Sequence, residues 1–142
     1  MENMKKLVII LLFITSYSLL FSETGIASWY VSDEPNALTA NGEIYDEHSS
    51  NAAHKTLPFG TRLEVYNVEN QLTTTVRIND RGPFVEGRII DLTPYSAKEL
   101  GMYEKGITEV ELTILYTPEI PESEYLRIGD TSYYTIQLGA FG

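Results

Sequence analysis

The segment Arg77-Ile78-Asn79-Asp80-Arg81-Gly82-Pro83-Phe84, preceded by Ala52-Ala53-His54-Lys55-Thr56-Leu57-Pro58-Phe59-Gly60-Thr61 and followed by Gly87-Arg88-Ile89-Ile90-Asp91-Leu92, governs how this chain is read. Together these stretches gather a histidine, two aspartates and three arginines into turn-bounded positions. Val, Ile and Leu in strand cores are exchangeable among countless sequences, whereas charged side chains crowded around Gly-Pro turns converge for a reason, and that reason is usually a site.

Outward from these motifs the periodicity is that of strands. Arg62-Leu63-Glu64-Val65-Tyr66 alternates apolar with polar, as does Leu72-Thr73-Thr74-Thr75-Val76-Arg77-Ile78, and Val68-Glu69-Asn70-Gln71 between them suits a hairpin turn. Gly25-Ile26-Ala27-Ser28-Trp29-Tyr30 reads as a first strand, residues 33–41 as a loop, and Gly87 to Leu92 as a further strand. That strand runs into Thr93-Pro94, a helix N-cap followed by proline at the first helical position, so a short helix is expected to reach Leu100 and stop at Gly101. Its Ala97 and Leu100 would face the core with Tyr95 nearby, and Lys98 and Glu99 would face water. Val110, Leu112, Ile114 and Tyr116 alternate as a last strand. Five or six strands with one helix in about ninety residues predict an all-β fold, a small closed barrel.

The 142 residues hold one such domain plus tails. Lys5 and Lys6 before the apolar run Leu7 to Phe21 read as an export signal over residues 1–22, and the run is short for a bilayer span, so no stable membrane span is expected after its removal. Residues 23–117 form the expected barrel, 118–132 an acidic proline-bearing linker, and 133–142 a return to strand-like sequence too short for a core of its own. The absence of cysteine excludes disulfides, thiolate metal sites, a cysteine nucleophile and a lipid-modified N-terminal cysteine. The formal charge of −10 argues against nucleic acid as a partner, since self-repulsion opposes the phosphate contacts that dominate such binding.

Gly25-Ile26-Ala27-Ser28-Trp29-Tyr30, Thr39-Ala40-Asn41-Gly42-Glu43-Ile44-Tyr45-Asp46 and the motifs quoted at the outset resemble, in order and density, the rare lipoprotein A (RlpA) family of bacterial cell-wall proteins over roughly residues 24–115. The resemblance implies a six-stranded double-psi β-barrel related to expansins, and an endolytic lytic transglycosylase that cleaves peptidoglycan glycan strands to 1,6-anhydro-N-acetylmuramic ends without metal or organic cofactor. It further implies a preference for strands lacking stem peptides, placement in the periplasm or cell envelope, and cell-division machinery as a partner. Tyr133 to Phe141 is similar to the opening strand of a sporulation-related (SPOR) repeat. Two departures stand out: the lipobox cysteine of many relatives is missing, and Val31-Ser32-Asp33-Glu34 replaces a glycine-containing stretch.

Glycosidic cleavage requires a proton for the leaving oxygen and stabilisation of an oxocarbenium-like centre, and Glu43, Asp80 and Asp91 are the candidate carboxyls. The resemblance points to Asp80 as general acid and then base, with His54 and Glu43 as the other catalytic positions. From the residues alone, Asp80 serves equally well as a turn residue, and His54 as a structural histidine in a loop, there to orient Asp80 or the sugar if the resemblance holds. Asp91, eleven residues after Asp80, is a substrate-binding candidate or a partner for free helix amides. Arg81 is placed in the same group, and Arg88 is expected to brace Asp80 or Asp91. Trp29, Tyr30 and Tyr45 supply aromatic faces for sugar stacking or else fill core, and Phe84 is expected to fill core. His54, Glu43 and Asp80 make a poor metal set, with two carboxylates and one imidazole. The competing reading is an expansin-like module that binds or loosens the wall without breaking bonds.

Overall fold

In the computed structural model, residues 22–120 and Glu122 are described. Six strands close into a barrel: β1 (Ser22–Trp29), β2 (Asn51–His54), β3 (Arg62–Asn67), β4 (Thr73–Asp80), β5 (Arg88–Leu92) and β6 (Ile107–Tyr116), with one helix, α1 (Pro94–Glu99), between β5 and β6. Around the barrel the order is β1-β5-β2-β4-β3-β6. The β1–β5 and β2–β4 pairs are parallel and the other four are antiparallel. Closure removes the free edges that a six-stranded sheet would otherwise expose.

The alternation read from the sequence is the alternation that packs. Leu63 and Val65 of β3, Val76 and Ile78 of β4, Ile90 and Leu92 of β5, and Val110 and Leu112 of β6 are buried in one core, which Ala97 and Leu100 seal from the helix side. Thr93 caps α1, its Oγ1 accepting from the Ser96 N–H at 3.4 Å, with Pro94 at the first turn. The helix ends because Asn67 and Asn70 of the β3–β4 hairpin both donate to the Leu100 carbonyl, at 3.1 and 3.0 Å, and Gly101 follows at φ +70°, where a Cβ would stand 2.6 Å from the Asn70 amide.

The structure corrects several details. β1 begins at Ser22, three residues before the expected start, and those residues pair with Thr113 to Glu111 of β6. β2 is a strand where a loop was expected, so His54 closes a strand. Its Asn51-Ala52-Ala53-His54 carries little β propensity; it is held from both sides, by β4 and β5. Tyr95 turns outward and donates to Glu99 at 2.9 Å. Residues 1–21 and 133–142 lie outside the described residues; of the acidic segment, Glu122 is seen to fold back, its N–H donating to the Phe59 carbonyl at 3.1 Å.

Leu112 is fully buried and Leu115, on the same strand, is 54% exposed. Leu112→Ala should cost about 2–5 kcal/mol, and Leu115→Ala within about 0.5 kcal/mol of zero, in chemical denaturation followed by circular dichroism. Equal midpoints for the two variants would contradict the core described here.

Candidate active site

Strand β4 buries Thr74, Val76 and Ile78, so strict alternation would also send Asp80 into the core. It does not, because the pairing with β2 slips by one residue. Ala52 lies opposite Ile78, but Ala53 lies opposite Asp80, with Asn79 as the extra residue between them. Such a bulge re-aims a side chain. Ala53 also pairs with Asp91 of β5, and Asp91 pairs with Ser28 of β1. Asp80, Ala53, Asp91 and Ser28 therefore form one row across four neighbouring strands, with the two aspartates about two strand spacings, some 10 Å, apart along the backbone.

Around the Asp80 carboxylate three donors converge. Oδ2 accepts from the Tyr30 hydroxyl at 2.9 Å; Oδ1 accepts from the Ala40 N–H at 2.9 Å and from the Arg81 N–H at 2.8 Å. A carboxylate offers about four lone-pair positions. Among the described residues both on Oδ1 are filled, and Oδ2 accepts from Tyr30 alone. Burial, followed by the Asp80 charge, pushes the Tyr30 phenol far above its ordinary range, so this donor stays neutral and protonated. Tyr45 packs against Tyr30 with ring centroids 5.1 Å apart and donates to the Tyr30 carbonyl at 2.7 Å. Its own phenol is pushed up to about 12, chiefly by burial.

Asp91 does not meet the helix amides, whose cap is Thr93. Its Oδ1 accepts a hydrogen bond from the Ser28 hydroxyl, and Arg88 approaches that hydroxyl at 3.5 Å. Ser28 was missed by sequence reasoning, although a period of two puts it on the face of Tyr30. By the same rule Trp29 lies on the other face. It stacks on Tyr103 at 4.6 Å and donates to the Tyr103 carbonyl at 3.1 Å, packed against the core and committed away from the aspartates.

Glu43 forms a two-pronged ion pair with Arg77, one prong at 2.9 Å, and accepts from the Asn79 amide at 3.0 Å. Arg77 also holds Glu122. The Arg77 hydrogen bonds hold the Glu43 carboxyl down at about 2, against an opposing contribution from burial. A group so fully ionised is a poor proton donor. What Glu43 does is fasten the 39–43 turn onto β4: Asn41 N–H donates to the Asn79 carbonyl at 3.1 Å in the same turn, and this seats the Ala40 N–H on Asp80.

His54 is 4% exposed, and both ring nitrogens are occupied. Nδ1 accepts from the Thr56 and Leu57 N–H groups at 3.2 and 3.1 Å, which puts the proton on Nε2, 3.2 Å from Glu23. Burial pushes its pKa down, against the pull of Glu23. The expected orientation of Asp80 by this ring is not what the geometry shows; the link is through the main chain. Arg81 donates to the His54 and Leu57 carbonyls at 3.3 and 3.0 Å and lies 3.7 Å over the Phe59 ring, steadying the residue next to Asp80. Phe84, expected in the core, is 87% exposed. Among the described residues no group of three or more histidine and carboxylate side chains is arranged to hold a metal ion, and no helix is long and apolar enough to cross a membrane.

A family model described as "Lytic transglycolase" matches residues 22–112. The endolytic peptidoglycan transglycosylase RlpA of Helicobacter pylori strain J99 is 45% identical over 112 residues, covering 79% of this chain and 36% of its own length. That of Vibrio cholerae is 47% identical over 95 residues, covering 67% and 36%. This chain thus spans about a third of the length of the curated relatives it matches. Among solved structures, the apo expansin of Clavibacter michiganensis has a TM-score of 0.55 at 20% identity, covering 71% of this chain and 54% of that one. A Streptomyces papain inhibitor has a TM-score of 0.55 at 21% identity, covering 68% and 96%. At such identities these structures speak for the double-psi barrel fold alone.

The Glu43–Arg77 pair has a pH signature. Because the folded-state pKa of Glu43 is depressed from 4.5 to about 2, its stabilising effect is complete above 4.5 and is lost as the pH falls through 2. Glu43→Gln should therefore melt below wild type at neutral pH, with the gap closing between pH 4.5 and 2. A constant gap over that window, in thermal melts at pH 7, 4.5 and 2.5, would refute the assignment.

Proposed function

The chain belongs to the lytic transglycolase family, and we propose that it cleaves peptidoglycan glycan strands as an endolytic transglycosylase of the RlpA type. The observation carrying this reading is the Asp80 carboxylate at the barrel rim, gripped by three donors, of which Tyr30 alone among the described residues is on Oδ2. Oδ2 is where a proton is carried to the glycosidic oxygen. As the bond between C1 of N-acetylmuramic acid and that oxygen breaks, the C6 hydroxyl of the same sugar attacks C1 and returns its proton to Oδ2. One carboxyl then serves as acid and base, and no water is consumed.

Within this scheme Tyr30 touches the reacting carboxyl, and the Ala40 and Arg81 amides fix its other oxygen. Glu43, Arg77 and His54 position the two segments from which those amides come. Asp91, steadied by Ser28 and Arg88, is the substrate-binding carboxylate. Export through residues 1–22, action in the cell envelope, a preference for strands lacking stem peptides and engagement with the division machinery remain parts of the same proposal, as does a SPOR-like character for residues 133–142.

Incubation of the protein with sacculi, intact and amidase-denuded, should release muramic ends lighter by one water than hydrolysed ends, read by mass spectrometry. Asp80→Asn should abolish them with little loss of fold by circular dichroism. Reducing ends would mean a hydrolase, and no soluble product from either substrate would favour the expansin-like binding module. Tyr30→Phe removes a hydrogen bond to a charged group, worth about 1.5–3 kcal/mol, so kcat should fall about tenfold to a hundredfold with little change in KM. An unchanged kcat would remove Tyr30 from the reaction.

A further inference from the structure

Phe84 is 87% exposed and Val85 beside it 51%, on the turn that leads from the Asp80 motif to β5. A single exposed aromatic needs no explanation, but this one is held in a particular place. Gly82 lies at φ +132°, a backbone conformation that favours glycine. At the point where its Cβ would stand, the nearest atoms are Phe84 Cε2 at 3.6 Å, an Asp91 carboxylate oxygen at 3.8 Å and the Ala53 Cβ at 3.9 Å. The ring edge and the carboxylate are therefore separated by less than the sum of the first two distances. Between them the backbone carries no side chain at 82, and the strand beneath carries a methyl group at 53.

We propose that Phe84 and Asp91 form a pyranose subsite beside Asp80, the sugar lying with its apolar face on the Phe84 ring and a hydroxyl or acetamido N–H donating to Asp91. The inference rests on the glycan-cleaving reading and adds to it the residue that grips the strand. Both groups stand within 4 Å of the same point over Gly82, so ring edge and carboxylate lie close enough for one sugar to touch both. The chemistry agrees as well, since an apolar plate next to an acceptor-only carboxylate complements a sugar, with its C–H face and outward donors. Ser28 donates to the other Asp91 oxygen, so the carboxylate is held in place with its second oxygen on the Gly82 side. The ring surface expected of Trp29, which is committed to Tyr103, is supplied by Phe84.

The test uses the full chain carrying Asp80→Asn, so that binding is read without turnover, and amidase-denuded glycan strands as the probe. Adding Phe84→Ala should weaken the dissociation constant about tenfold, the size of one aromatic stack. Phe84→Tyr should restore it, and all three proteins should melt alike because the ring is exposed. In the Asp80 background of the native chain, Phe84→Ala should raise KM by a similar factor and leave kcat within about twofold. Equal affinity with and without the ring, failure of tyrosine to restore it, or no measurable binding by the parent would overturn the subsite. The two readings separate cleanly. If wild type yields no anhydro ends while Phe84→Ala still weakens binding, the subsite stands and the transglycosylase falls; if wild type yields them and Phe84→Ala binds and turns over unchanged, the subsite falls alone.

Discussion

One extra residue in a strand pairing sets the chemistry of this barrel. Between Ile78 and Asp80 strand β4 advances two residues while β2 advances one, from Ala52 to Ala53. Without that slip Asp80 would continue the buried series of Val76 and Ile78, and a carboxylate facing a core of Leu63, Val65 and Leu112 would have to be neutral or would oppose folding. With it, Asp80 joins the row of Ala53, Asp91 and Ser28, and each neighbour acquires a function by position. Tyr30 follows Ser28 on the same face, Gly82 lies over Ala53, and the 39–43 turn closes against Asn79, the very residue the slip sets free.

Three carboxylates lie near this rim, and their surroundings divide the work. Glu43 faces a guanidinium and a carboxamide, which hold its carboxyl well below the usual carboxylate range and make it a strut. Asp91 has a neutral hydroxyl on one oxygen, so it remains an acceptor at a defined place. Asp80 accepts from two backbone amides and a phenol, which fix both of its oxygens in place. Arg77, three residues before Asp80, is drawn to Glu43 and Glu122, and Arg81, which follows Asp80, donates to main-chain carbonyls.

Much of this was legible in the chain. Period-two patterns in 62–66, 72–78 and 110–116 were read as strands because both the spacing and the residue types are unambiguous, and Thr93-Pro94 and Gly101 bracketed the helix by cap chemistry. Strand β2 was not legible, since Asn-Ala-Ala-His owes its conformation to two neighbours and not to its own preferences. The role of His54 was hidden for a related reason: its partners are Glu23, which belongs to the extension of β1, and two amides of the following turn, none of which a motif announces. Asp80 was found by its motif, yet the Ala40 N–H that holds it is backbone and has no signature in sequence. The exchange between Trp29 and Phe84 was open to simple reasoning, because Ser28 and Tyr30 on one face leave Trp29 the other, whereas Phe84 in a Gly-Pro turn has no strand to carry it inward.

The fold does not select the function. An expansin and a papain inhibitor share the barrel with this chain at about a fifth of residues identical, and a barrel with that core would close equally well around an inert rim. The rim of this chain carries side chains that the core does not require: a phenol whose hydroxyl is spent on Asp80, a serine spent on Asp91, and an ion pair that clamps a turn so that one amide points at one oxygen. Each restricts freedom that a purely structural rim would keep, and each restriction converges on the same two carboxylates. The phenyl ring of Phe84 stands exposed next to the second of them, where burial would have stabilised the protein more, and the subsite proposed above gives that cost a use.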